Sequence, residues 1–198
     1  MKYPLHLLKL INVLKRLPGV GSKSAERFAF EIIRWPEGRL VEMGQILTET
    51  SSRLKHCDEC GCLIDVDMCQ FCRDKNEKVE SICIVATSRD VFSIAATNEY
   101  KGLYHVLGAL LSPMNGVGVE SLNLHKLVER INVHKIEEVV IALDSTLEGD
   151  ATSLYLKKVL DPLKVNVSRL AFGLPMGSPL DYVDGGTLAR ALSARAHF

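Results

Sequence analysis

The sequence predicts an α/β protein built in succession from a small helical module, a cysteine-rich segment, and a mainly parallel α/β domain closed by a short C-terminal segment. Three observations carry this. Apolar residues recur at helical spacing through the first 55 positions. Five of the six cysteines crowd into residues 57–72. From Ser81 onward, short apolar runs alternate with helical patterns, the sign of βαβ crossovers. The expected parts are 1–55, 56–73, 80–175 and 176–198.

Within Met1 to Arg16, Leu7, Leu10, Ile11 and Leu14 make one helical stripe, with Lys15 and Arg16 favouring its C-terminal dipole end. Leu17-Pro18-Gly19-Val20-Gly21 breaks the chain sharply. Ala25, Phe28, Ala29, Ile32 and Ile33 then share a face until Trp35-Pro36 ends the second helix. A third, Arg39 to Lys55, aligns Leu40, Met43, Leu47 and Leu54. Residues 57–72 offer little from which to build a core. Strands are expected at Ser81–Ala86, Tyr104–Leu107, Glu138–Leu143 and Val165–Leu170. Helices are expected at Arg89–Ala96, around Leu124, Leu127, Val128 and Ile131, at Asp150–Leu160 and at Thr187–Arg195. Ser112–Gly118 and Asp144–Gly149 read as loops.

Hydrophobic residues make 47% of the chain and charged residues 24%, which excludes wholesale disorder. No apolar run approaches the roughly 18 residues of a membrane span, and the leucine-rich start is broken by His6, Lys9 and Asn12 without a cleavage site, so a cytoplasmic protein is expected. Net charge is zero, yet residues 1–55 hold ten basic against five acidic side chains. A nucleic-acid surface therefore belongs in the N-terminal quarter; a solvated lysine-rich helix face is the plain alternative.

Cys57-Asp-Glu-Cys60 and Cys69-Gln-Phe-Cys72 are two C-x2-C pairs separated by eight residues. Each pair offers two sulfurs to one ion, and two pairs close a tetrahedral, structural zinc site with no position for a catalytic water. A redox dithiol would not need the second pair, and cytoplasmic thiols do not form stable disulfides. Cys62 and His56 are alternative ligands, though either spoils the symmetric spacing, and Cys83 reads as a buried apolar side chain.

Gly19-Val-Gly21-Ser-Lys23-Ser24 fails as a phosphate loop, because Ser22 separates glycine from lysine and a helix precedes it. Helix, Gly-x-Gly hairpin, helix remains, with Gly19 and Gly21 freeing amides for a DNA phosphate. Lys23 and Arg27, four apart, flank those amides. Such contacts read the backbone without sequence preference. A packing hairpin is the alternative. After the strand ending at Leu143, Asp144, Glu148 and Asp150 cluster where an open α/β sheet would place a Mg²⁺ site, with Asp181 and Asp184 as further candidates. The end of the first strand carries Ala86 instead of a second acid, which leaves a two-metal site incomplete. No catalytic residue is assigned.

The segments LPGVGSKSAERFAF, C-x2-C-x8-C-x2-C, YKGLYHVLGALLSPMNGVG, EVVIALDSTLEGDATSLYL and RLAFGLPMGSPLDYVDGGTLARAL together resemble the RecR family of bacterial recombination mediators, in its order and over essentially the whole chain. The resemblance implies a helix-hairpin-helix module, a four-cysteine zinc element, a Toprim domain and a C-terminal segment resembling a Walker B region. It implies a non-enzymatic, ring-like tetramer that binds DNA and works with RecO, in some lineages RecF, to load RecA onto gapped DNA. Carried over, Cys57, Cys60, Cys69 and Cys72 match the zinc ligands, Lys23 and Arg27 the basic hairpin, and Asp144, Glu148 and Asp150 the acidic Toprim loop. Ala86 stands where family members usually have glutamate, and Pro179 and Gly185 each replace a usual acidic residue. The rival class is a Toprim phosphoryl-transfer enzyme such as a nuclease, primase or topoisomerase, which the departure at Ala86 disfavours. A zinc scaffold without nucleic-acid contact is the third class.

Overall fold

Two alanines set the geometry of the N-terminal module. Helix α1 (Leu5–Leu14) and helix α2 (Ser22–Ile32) pack through Leu7 and Ile11 against Ala25 and Ala29, flanked by Tyr3, Leu10, Leu14 and Val20. Small side chains at 25 and 29 let the helices approach closely, which narrows the contact to that stripe. Phe28 and Ile33, expected on the packed face, are therefore exposed. Helix α3 (Glu37–Arg53) buries no residue, so Leu40 and Leu47 also face outward, against expectation. The computed structural model describes residues 3–65, 68–72, 79–171, 173–174 and 176–195. The expected boundaries at residues 1, 73, 175 and 198 lie outside these residues. The chain divides into two units, Met1–Leu54 and Lys55–Phe198.

In the second unit, strands β3 (Ser81–Val85), β4 (Leu103–Val106), β5 (Glu138–Ala142) and β6 (Asn166–Arg169) form one parallel sheet in the order β4-β3-β5-β6. Helices α4 (Ser88–Ala96), α5 (Leu124–His134) and α6 (Leu147–Leu160) make the crossovers, and α7 (Gly185–Ser193) follows. Central β3 is apolar and buried from Ile82 to Val85 because both its faces are covered. Ile82 and Ile84 point into a core with Leu127, Ile131, Leu156 and Leu160. Cys83 and Val85, alternating with them, join Val91, Tyr104 and Val106 on the other face.

Two further expectations need correction. The cysteine segment is not coreless: Cys60 and Cys62 are fully buried in that second cluster, and β1 (Leu54–His56) and β2 (Leu63–Asp65) form a small sheet there. Strands of three residues carry no readable alternation. Helix α6 also begins at Leu147, three residues earlier than expected, because the Thr146 side chain accepts from the Gly149 N–H as an N-cap. Ile84 has no exposed surface. Ile84→Ala should lower unfolding free energy by about 2–5 kcal/mol in urea titration, through lost burial plus the cavity left behind.

Candidate metal centre and nucleic-acid interface

The first cysteine turn is held by backbone bonds before any metal is considered. Cys57 N–H donates to the Cys62 carbonyl at 2.8 Å and Gly61 N–H to the Cys57 carbonyl at 2.9 Å. The Cys60 carbonyl accepts from Val106 N–H at 2.8 Å, which fixes the turn to the end of β4. Gly61 has φ +75°, and a Cβ there would sit 2.9 Å from the Val106 carbonyl oxygen. Only glycine suits both the backbone and the close approach.

This turn and the second C-x2-C bring the Sγ atoms of Cys57, Cys60, Cys69 and Cys72 within 4.8 Å of one another. Cys57 to Cys72 is 3.7 Å and Cys60 to Cys69 is 3.5 Å. A tetrahedron with metal–sulfur bonds of about 2.3 Å has edges of about 3.8 Å, so the four thiols fit one tetrahedral ion. Hydrogen bonding from the Cys72 thiol pulls the Cys60 thiol down to about 5, the behaviour of a sulfur held as thiolate. Burial pushes Cys69 up to about 12, and the bond to Cys60 raises Cys72. A divalent ion would take the place of the protons these sulfurs share. Cys62 and Cys83 stay outside the cluster and are raised by burial to about 11 and about 12. His56 turns its Nδ1 to the Gly61 carbonyl at 2.9 Å. Among the described residues, no other group of His, Cys, Asp or Glu side chains converges as a metal site.

The hairpin residues lie together on the surface of the first unit. Gly19 takes φ +78°, and Gly21 leads into α2 in extended conformation with no side chain capping the helix. The first-turn amides of α2 thus open outward beside Lys23 and Arg27, and all four residues are exposed. The Arg27 guanidinium lies 5.7 Å from the centre of the Phe28 ring.

At the carboxyl edge of the sheet the acids are differently employed. Ala86 is buried directly after β3. Asp90 accepts from the Thr87 N–H at 2.7 Å, capping α4. Glu148 and Asp150 stand in the first turn of α6, where acids favour the helix dipole. Asp150 accepts from Arg169 at 2.6 Å and Arg190 at 3.1 Å. Sequence reasoning passed over both arginines, and no spacing rule links residues so far apart. Asp184 accepts from the Thr187 N–H at 3.0 Å as the α7 N-cap. Asp144 and Glu148 are left exposed.

A parallel sheet whose strand order reverses between β3 and β5, with acids at that edge, is the arrangement of a Toprim protein, and residues 80–171 match the Toprim domain model. The other two matches narrow this. Residues 7–50 match the model for the RecR helix-hairpin-helix and residues 173–196 the model for the RecR C-terminal region. The recombination protein RecR of Protochlamydia amoebophila is 57% identical over the full length of both chains. Those of Chlamydia abortus and Desulforudis audaxviator are 47% and 44% identical, each covering 98% of both chains. The chain belongs to the RecR family.

The two arginines hold the Asp150 carboxyl below the usual range, the Arg169 hydrogen bond being the larger cause. A carboxylate with a lowered folded value stabilises fully above its unfolded value of about 3.9, and that contribution fades as pH falls through the folded value. Carboxyl-detected NMR titration should place Asp150 below 3.9, and Arg190→Ala should move its midpoint upward. An unchanged midpoint would refute the ion-pair assignment.

Proposed function

We propose that the chain is a non-enzymatic, DNA-binding clamp and adaptor of recombinational repair, working in the cytoplasm with RecO, and in some lineages RecF, to help load RecA onto gapped DNA. The observation that carries this reading is the open α2 N-terminus between Lys23 and Arg27. Backbone amides there accept a phosphate, and the two cations add charge-assisted bonds without reading base edges. A clamp needs a closed assembly, and a tetrameric ring answers a second observation. The first unit buries only Leu7, Ile11, Ala25 and Ala29 among its described residues, while Phe28, Ile33, Leu40 and Leu47 remain exposed. Burial against further copies of the chain would complete so small a core.

The ion at Cys57, Cys60, Cys69 and Cys72 is zinc, since four thiolates at tetrahedral spacing suit it and leave no open coordination position. Its contribution is a crosslink between the two cysteine turns. A phosphoryl-transfer enzyme would need acids free to bridge metal and phosphate. Ala86 offers none, and Asp90 and Asp150 are engaged within the fold. Asp144 and Glu148, exposed at the same edge, instead suit a basic surface of RecO, so Mg²⁺ has no required role.

Elemental analysis should find one zinc per chain in protein purified without chelator. Cys60→Ser should lower both zinc content and thermal stability, because such sites contribute folding energy. A fully folded, metal-free protein would overturn this assignment. For the nucleic acid, Lys23→Ala with Arg27→Ala should weaken binding of all DNA sequences alike and reduce the salt slope by about 0.9 per lost phosphate contact. Stability should change by no more than about 0.5 kcal/mol. In the same assay Glu148→Lys should spare DNA binding but slow RecO association at low salt. Intact DNA affinity in the double variant would move the interface elsewhere. Magnesium-dependent DNA cleavage or joining that Asp144→Asn abolishes would establish the enzyme instead.

A further inference from the structure

Arg130 on α5 is buried, at 5% exposure, yet it forms no ion pair among the described residues. Its Nη1 donates to the Tyr104 carbonyl at 2.6 Å and faces His105 Nδ1 at 3.4 Å. A guanidinium only donates, so Nδ1 accepts and the His105 proton sits on Nε2. That Nε2–H is buried without an acceptor among the described residues, and the ring is 2% exposed. Burial, then the charges of Arg130 and Lys126, depress the imidazole to about 3, so it is neutral. Arg130 is satisfied in part by the Tyr104 carbonyl, but a buried imidazole N–H without an acceptor among the described residues is costly unless something supplies one.

Both border a cleft between the Cys57–Gly61 turn and α5. His105 lines its main cavity of about 230 Å³ with His56, Asp58, Asn123 and Lys126. Arg130 lines the adjoining pocket, which shares Asp58, Glu59 and Lys126. Lys126 reaches across, donating from Nζ to the Asp58 carbonyl at 2.8 Å. The Asn123 side chain does not cap the first turn of α5, so the helix amides add to the donors at this end. The acids bordering the cleft, Asp58, Glu59 and Glu129, are exposed and solvated.

We propose that this cleft is a second phosphate-binding site, in which Lys126, the His105 Nε2–H and the first-turn amides of α5 receive the oxygens of a phosphate group, while Arg130, bonded to Nδ1 on the far side of the ring, holds the proton on Nε2. A lysine, an imidazole N–H and a helix N-terminus bordering one cavity favour a multi-oxygen anion over a single carboxylate. The phosphate comes from free inorganic phosphate or from a DNA backbone. Only the DNA source depends on the function proposed above.

The test uses the full-length, metal-loaded protein and inorganic phosphate as probe. Melting temperature should rise saturably with phosphate, beyond chloride at matched ionic strength, as linkage to the folded state requires. Lys126→Gln, at a partly exposed position, should weaken the apparent phosphate affinity at least about tenfold, the value of one charge-assisted hydrogen bond. His105→Phe, which removes Nε2, should do the same. Phosphate should also shift the His105 imidazole resonances in the wild-type protein. DNA binding by Lys126→Gln, made in the Lys23→Ala/Arg27→Ala background, then identifies the source. A salt slope lower by about 0.9 assigns a backbone phosphate, and an unchanged slope assigns the free anion. A phosphate effect no larger than that of chloride overturns the proposal. So does an equal effect of acetate, which would indicate a carboxylate partner, or full retention of the effect in both variants. The phosphate titration is also run in the Lys23→Ala/Arg27→Ala background, where the hairpin contributes nothing, so the hairpin reading and this one fail separately.

Discussion

The hydrogen bond from Val106 N–H to the Cys60 carbonyl joins the cysteine turn to the sheet, and much of the second unit depends on it. β4 is an edge strand, and an edge leaves backbone groups open to unwanted pairing. Here the turn caps the strand's end, and Gly61 allows contact too close for any side chain. The turn also delivers Cys60 and Cys62 into the apolar cluster beneath β3 and β4. Cys60 thereby belongs to two structures at once, the thiol cage and the core. Its loss would open both.

The strand order explains the rest of the architecture. With β3 and β5 at the centre, the crevice beyond their ends is where an open sheet normally offers its chemistry. In this chain the acids around that crevice largely serve the fold. Asp90 caps α4, Asp184 caps α7, and Asp150 ties the start of α6 to the end of β6 and to α7. Electrostatic capacity that an enzyme would direct at a substrate is spent here on holding the C-terminal helix against the sheet.

The second unit was more legible in the sequence than the first. SICIV and EVVIA are apolar on both faces because they are covered on both, so β3 and β5 stood out. The cysteine spacing carried its own geometry. In the N-terminal module an apolar stripe shows which residues want burial, and Phe28, Ile33 and Leu47 find none among the described residues of their own unit. The Asp144–Gly149 run reads as a loop in sequence, whereas α6 starts within it because Thr146 caps the helix. Arg130 and His134 follow Leu127 and Ile131 at helical spacing, so polar residues occupying a core stripe were visible without any sign of what they face. Ion pairs such as Asp150 with Arg169 and Arg190 arise from tertiary approach, for which a linear pattern holds no trace.

The parallel order also sets a sequence of events during folding. β3 has β4 and β5 as its two neighbours, and β5 is reached only after β4 and the whole of α5 have been made. Such non-local pairing raises contact order and slows closure, whereas the cysteine turn closes on itself within a few residues. Both C-x2-C pairs precede every strand of the main sheet in the chain, so on the ribosome the turn is complete before its docking strand exists. β4 then arrives at a platform already made.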